Sequence, residues 1–127
     1  MNGLHLIADL HDCRCAPARL LNVTALEVFC LDACARHGVT VVGRYFHTFH
    51  NAQGQPAGVT GAVVLAESPL AIHTWPEIAA VTLDVYVCNF SADNSQRARA
   101  LFNEVIAHFA PQQTEKKEVA RGHLGCA

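Results

Sequence analysis

Charge is what this chain has least of. Lysine, arginine, aspartate and glutamate make up 16% of its 127 residues, against about a quarter in ordinary soluble domains. Nine basic residues face eleven acidic ones, for a formal net charge of −2. There is no basic footprint of the kind that holds nucleic acid. No apolar run reaches the ~20 residues that a membrane-spanning helix needs, so no membrane span is expected. The N-terminus has no basic start followed by an apolar stretch, so no secretion signal is read there. The chain has no internal repeat and no low-complexity segment. It also lacks a Gly-x-Ser-x-Gly motif, which excludes a nucleophile-elbow serine hydrolase.

What it does have is apolar. Hydrophobic residues make up 51%, enough for a core in one domain spanning 1–127. So small a domain buries only a limited share of its surface. The low charge then implies that some surface is hidden in a second copy. Six cysteines stand at 13, 15, 30, 34, 88 and 126. With no export signal, a cytoplasmic location with reduced thiols is expected. Cys13 and Cys15 are too close for an ordinary disulfide. Cys30 and Cys34 are one helical turn apart. Zinc could take such ligands, but the spacing matches no common finger. Small buried hydrophobes are the better reading, with no metal expected.

Periodicity gives the elements. Residues 3–9 alternate as a first strand, and 10–20 read as irregular around Pro17. A helix is predicted from Asn22 or Thr24 to Arg36, with Leu26, Phe29, Cys30 and Ala33 at helical spacing and Gly38 as its stop. Strands are predicted over 39–49, 58–66, 70–75 and 80–88, with a loop at 50–57. A second helix covers 94–109, with Leu101, Val105, Ile106 and Phe109 on one side. A last short strand falls near 114–121. This order predicts an α+β two-layer sandwich, an antiparallel sheet with two helices on one face. Its other face is then solvated or covered by a partner. Residues 58–66 and 80–88 are apolar on nearly both sides, which favours a dimer formed through or beside the sheet.

Residues 65–77, LAESPLAIHTWPE, concentrate reactive types: Glu67, Ser68, His73, Trp75 and Glu77. A serine with a histidine five residues on is ordinary by itself. Taken alone, Ser68 reads as a loop hydroxyl and His73 as a satisfied strand histidine. Cys88 alone reads as a buried strand cysteine, Phe49 as a core phenylalanine and Glu77 as a solvated turn residue.

The motif as a whole is far more specific. The run from Gly58 to Glu77 closely resembles the short prokaryotic S-adenosylmethionine decarboxylases. Their hallmark is Glu-Ser, a small-apolar stretch, then His-Thr-Trp-Pro-Glu. Here those are Glu67-Ser68, Leu70-Ala71-Ile72 and His73-Thr74-Trp75-Pro76-Glu77. HLIADL at the start, FHTF at 46–49, GVTG at 58–61 and a strand ending in Cys88 follow in the family's order.

The resemblance implies a proenzyme that cuts itself between 67 and 68, giving a β chain, 1–67, and an α chain, 68–127. Ser68 would attack the Glu67 carbonyl, an activated-hydroxyl step, and be left as a pyruvoyl group. His73 would remove the serine α-proton, and Thr60 would assist in place of the family's serine. The pyruvoyl group would form a Schiff base with the substrate amine and act as electron sink, so neither metal nor pyridoxal phosphate is needed. Cys88 would return the proton. Phe49 would stack on the substrate's adenine, from the neighbouring subunit of a homodimer. Glu77 would hold the ribose hydroxyls, and Leu70 would line the substrate site. The implied activity is decarboxylation of S-adenosylmethionine in polyamine biosynthesis.

Departures from the pattern bear mainly on the substrate. Pro69 replaces the family's histidine; proline loses an N–H and turns the preceding Ser68 toward extended geometry. Ile78-Ala79-Ala80 stand where tyrosine and glycine are usual, Asn89 replaces a glycine, and the 50–57 loop is long. The alternative substrates are ornithine and arginine, small amino acids whose distal cation would need Asp9, Asp12, Asp84 or Glu77. A third reading is an uncut, non-catalytic partner subunit.

Overall fold

The computed structural model describes residues 3–89 and 93–121. Within them six strands form one sheet: β1 (Gly3–Cys13), β2 (Val41–His50), β3 (Pro56–Leu65), β4 (Ser68–Trp75), β5 (Ala80–Cys88) and β6 (Pro111–Arg121). Their order is β2-β3-β4-β5-β1-β6, and every neighbouring pair is antiparallel.

Helices α1 (Ala18–Leu21), α2 (Val23–Arg36) and α3 (Ser95–His108) complete the fold. They lie on one face, α2 over β2 and β3, α3 over β5 and β1, and the single turn α1 over β3 and β4. The α+β sandwich expected from the pattern is the one observed, with one short helix more than expected. That extra turn falls in the stretch read as irregular, where Pro17 sets its start and Leu20 anchors it in the core.

Local signals explain the helices. Asn22 caps α2 by accepting the Ala25 N–H at 3.0 Å. Gly38, at φ 70°, takes the left-handed position just past its end. α3 buries Ala98, Leu101, Phe102, Val105 and Ile106, a stripe at helical spacing. Glu104 of α3 pairs with Arg36 and with His37 at the end of α2, tying the two helices together.

The strands alternate as period 2 requires. On β5, Val81, Leu83 and Val85 are fully buried toward the helices, while Thr82, Asp84, Tyr86 and Cys88 take the other face. Each such valine or leucine contributes about 1.5–3 kcal/mol by leaving water. The second face of β5 is thus mixed rather than apolar, because Thr82 and Asp84 occupy it. Exposed aromatics on the open face come instead from β2 and β4: Tyr45, Phe49 and Trp75.

Several strands run past their expected ends: β3 starts two residues early at Pro56, inside the expected loop, β4 two residues early at Ser68, and β1 and β6 by more. β1 runs on to Cys13, and β6 starts at Pro111. β1 is held from both sides, and its pairing with β6 reaches Cys13↔Pro111.

Candidate active site

β3 ends at Leu65 and β4 begins at Ser68, and these two residues pair. Ala66 and Glu67 therefore make a two-residue turn, and the Glu67–Ser68 bond lies at its exit. Three contacts fix this turn. Ala66 donates its N–H to the Thr40 carbonyl at 2.8 Å. Cys88 donates its backbone N–H to the Glu67 carbonyl at 3.0 Å. The Asn94 amide donates to the Glu67 carboxylate. Ser68 is half-buried and borders a pocket of about 310 Å³ with Val39, Thr40, Glu67, Asn94 and Arg97. Pro69, with no N–H to give, occupies an exposed place in the second pair from the turn, opposite Val64. The start of a strand tolerates proline.

A second cluster sits on the open face of the sheet. Thr60, His73 and Thr82 lie side by side across β3, β4 and β5. The His73 ring is stacked between Trp75 at 4.1 Å and Phe49 at 5.6 Å between centroids. Phe49 pairs with Gly58 on β3, and its ring reaches that of His73 on β4. Phe49 is 41% exposed, so it belongs to this face and not to the core. A shallow cavity of about 310 Å³ is bordered by Tyr45, Thr60, His73, Thr82 and Asp84. Asp84 is engaged by His5 at 3.1 Å. Glu77 is exposed on a short 3-10 turn, Pro76–Ile78, directly after Trp75.

The fold thus gathers the expected residues into two groups. Glu67, Ser68 and the main-chain N–H of Cys88 form one; Thr60, His73 and Phe49 form the other, on the face to which the Cys88 side chain also turns. Ser68 and His73 are not together. Five strand residues at ~3.3 Å each put them ~16 Å apart, and an odd separation turns them to opposite faces. Leu70 is fully buried among the core residues on the helix side, so its side chain packs rather than lines either cavity. Thr74, inside the same motif, is structural too: its hydroxyl accepts the Val59 N–H at 2.9 Å and donates to the Leu20 carbonyl at 2.8 Å.

Asp12 pairs with Arg14, and Asp9 is exposed on β1. Cys13, Cys30 and Cys34 are buried, and Cys15 is half-buried. Burial pushes the Cys30 thiol up to about 12 and Cys34 to about 11, which suits packing groups. No trio of His, Cys, Asp or Glu among the described residues is arranged to hold a metal. Cys126 lies outside the described residues. Sequence reasoning missed Asn94 and the part played by Asn89, whose side-chain Oδ1 accepts the Asn94 N–H at 2.8 Å. It also missed Tyr45, although the alternation Tyr45-x-His47-x-Phe49 carries a legible signal.

Comparison with known proteins gives the family. The family model described as S-adenosylmethionine decarboxylase matches residues 4–122. A protein of Fervidobacterium nodosum named S-adenosylmethionine decarboxylase proenzyme is 34% identical, over 93% of this chain and 95% of its own length. A Pseudomonas paraeruginosa protein of the same name is 36% identical over 78% of this chain. The matched part spans only 58% of that longer relative. The crystal structure of the adenosylmethionine decarboxylase from Aquifex aeolicus superposes with a TM-score of 0.80 at 28% identity, covering 96% of this chain and 92% of that one. On its sequence and its fold alike, the chain belongs to the S-adenosylmethionine decarboxylase family.

Proposed function

We propose that this chain is a proenzyme that cuts itself between Glu67 and Ser68 and then decarboxylates S-adenosylmethionine, a step toward polyamines. The observation that carries this reading is the Cys88 N–H held on the Glu67 carbonyl oxygen. When the Ser68 hydroxyl adds to that carbonyl carbon, the oxygen becomes an anion, and a preplaced N–H stabilises it where the charge develops. Collapse breaks the C–N bond and leaves an ester, with the Ser68 amine free. Removal of the Ser68 α-proton expels the Glu67 carboxylate. Addition of water then releases ammonia and leaves a ketone in place of the serine.

The surroundings of Ser68 suit such a group, since a pocket adjoins it and the cut frees the end of β4 to turn. Once formed, the pyruvoyl group supplies the electrophile that binds the substrate amine and takes up electrons as carbon dioxide leaves. The Cys88 side chain then delivers the proton. Phe49 offers an exposed ring to the adenine, and Glu77 a carboxylate to the ribose.

Within one copy His73 is ~16 Å from the serine it must deprotonate. The reading therefore requires a homodimer in which His73 and Thr60 of one copy serve Ser68 of the other. The open face, with exposed Tyr45, Phe49 and Trp75, supports that docking. Ornithine or arginine would need a free carboxylate in the site. Of the four candidates, Asp84 is taken by His5 and Asp12 by Arg14, which leaves Asp9 and Glu77. No helix among the described residues is long and apolar enough to cross a membrane. The five cysteines among them are all free thiols, and the reading puts the enzyme in the cytoplasm.

The test is intact mass followed by an assay. Wild-type protein is expected as two pieces, 1–67 and 68–127, and Ser68→Ala as one chain. The processed protein should release carbon dioxide from S-adenosylmethionine and not from ornithine or arginine. A wild-type chain that stays whole refutes the reading; activity on the other two alone refutes the substrate.

A further inference from the structure

The residue whose carbonyl is attacked is gripped twice, and the second grip belongs to no expected site residue. The Cys88 N–H holds the Glu67 main chain. At the other end of the same residue, Asn94 Nδ2 donates to Oε2 of the Glu67 carboxylate. Asn94 stands at the N-cap of α3, where an asparagine would ordinarily accept a hydrogen bond from the first helical turn. Here its side chain makes no cap bond to its own helix. Asp93 instead accepts the Ser95 N–H at 3.0 Å, so the first turn is served by its neighbour.

Asn94 is itself held in place. Its N–H goes to Asn89 Oδ1 at 2.8 Å, and Asn89 Nδ2 goes on to the Ser95 hydroxyl at 3.1 Å. Asn89 directly follows Cys88. One short segment therefore supplies the main-chain grip on Glu67, the side-chain grip, and the brace between them.

We propose that Asn94 is a positioning residue for self-cleavage, which fixes the Glu67 side chain so that the scissile carbonyl stays aimed at the Ser68 hydroxyl. Releasing its side chain lets the peptide plane swing, and fewer molecules hold the attacking geometry at any moment. Asn89 is the second member of the device, acting through Asn94.

This inference rests on the self-cleavage reading, and the experiment separates the two. The rate of cleavage is followed by intact mass after cell-free synthesis of the full chain. Asn94→Ala should cleave about tenfold more slowly, the loss expected when a hydrogen bond to a charged group is removed. Asn94→Asp keeps a good helix-capping residue but sets a carboxylate against Glu67, and should be slower still. Exchanging the pair, Glu67→Gln with Asn94→Asp, restores one amide facing one carboxylate. The exchanged chain should return to within about threefold of wild type, the mark of direct coupling. A merely structural role for Asn94 would not be rescued by changing Glu67. Asn94→Asp cleaving at the wild-type rate, or an exchanged chain no faster than Asn94→Asp, overturns the inference and leaves the self-cleavage reading standing. A wild-type chain that never cleaves overturns both.

Discussion

Replacing Ser68 with alanine in one copy of the chain and His73 with alanine in another yields two proteins that each lack half of the cleavage chemistry. Their behaviour together follows from strand geometry. Ser68 and His73 belong to β4, and the ~16 Å between them far exceeds the roughly 3 Å over which a base takes a proton. No rotamer of an imidazole closes that gap, and the two side chains leave opposite faces. If His73 serves the partner's serine, a mixed dimer holds one complete set: Ser68 of the His73→Ala copy facing His73 of the Ser68→Ala copy. Random pairing puts about half of the chains into mixed dimers. Co-expression with two different affinity tags isolates those dimers, and the mass of the 68–127 piece reports a pyruvoyl start. Every His73→Ala chain of the isolated mixed dimers, about half of all such chains made, should then carry it, and none of the Ser68→Ala chains. Two results refute the reasoning: mixed dimers in which the His73→Ala chain stays unprocessed, or a His73→Ala protein that forms the pyruvoyl piece unaided.

Other expectations need simpler measurements. Burial lowers the His108 imidazole from 6.5 to about 4, with Arg19 adding to the effect. Below pH 6.5 the unfolded chain binds this proton and the folded one does not, so stability is full above 6.5 and is lost as pH falls toward 4. Melting temperature should therefore fall with pH across that window, and less steeply in His108→Phe, which keeps the stack on Phe29. A Cβ on Gly61 would overlap the Phe46 ring, so Gly61→Ala should cost about 1–3 kcal/mol in denaturant melts, as overpacking does. A cost near zero would mean that Phe46 moves aside freely. Cys30 and Cys34, buried with raised thiol pKa values, should react with a thiol reagent at pH 8 only after unfolding, whereas half-buried Cys88 should react in the native protein.

The sequence displayed its elements wherever one face had to be apolar. Val81, Leu83 and Val85 on β5, and Leu101, Val105 and Ile106 on α3, carry their periods openly because the core demands it. β6 escaped in part because it is an edge strand rich in charge, Glu115 through Glu118, as exposed edges tend to be. Its residues are almost all exposed, so no apolar period exists to be read, and only pairing with β1 reveals its length. At the site, the motif from Glu67 to Glu77 was legible as a string. Its division into two distant clusters was not, since that depends on β4 being straight. Leu70 sits inside the motif yet faces the helices, because even-numbered β4 positions build the core. Asn94 gave no signal beyond opening the predicted helix 94–109, for an asparagine at a helix start looks like any other until the turn is packed against it.

The sheet order carries one more consequence. Strands β1, β2 and β3 precede the scissile bond, and β4, β5 and β6 follow it, yet β1 lies between β5 and β6. A cut chain would be two interleaved pieces, each clasping the other along three strand boundaries. They could not drift apart without dissolving the centre of the sheet. Once unfolded and diluted, they would have to meet again as separate molecules, with no tether to restore the register. Folding is thus a task for the uncut chain, and maturation would turn a reversible fold into one held by its own topology and by slow kinetics.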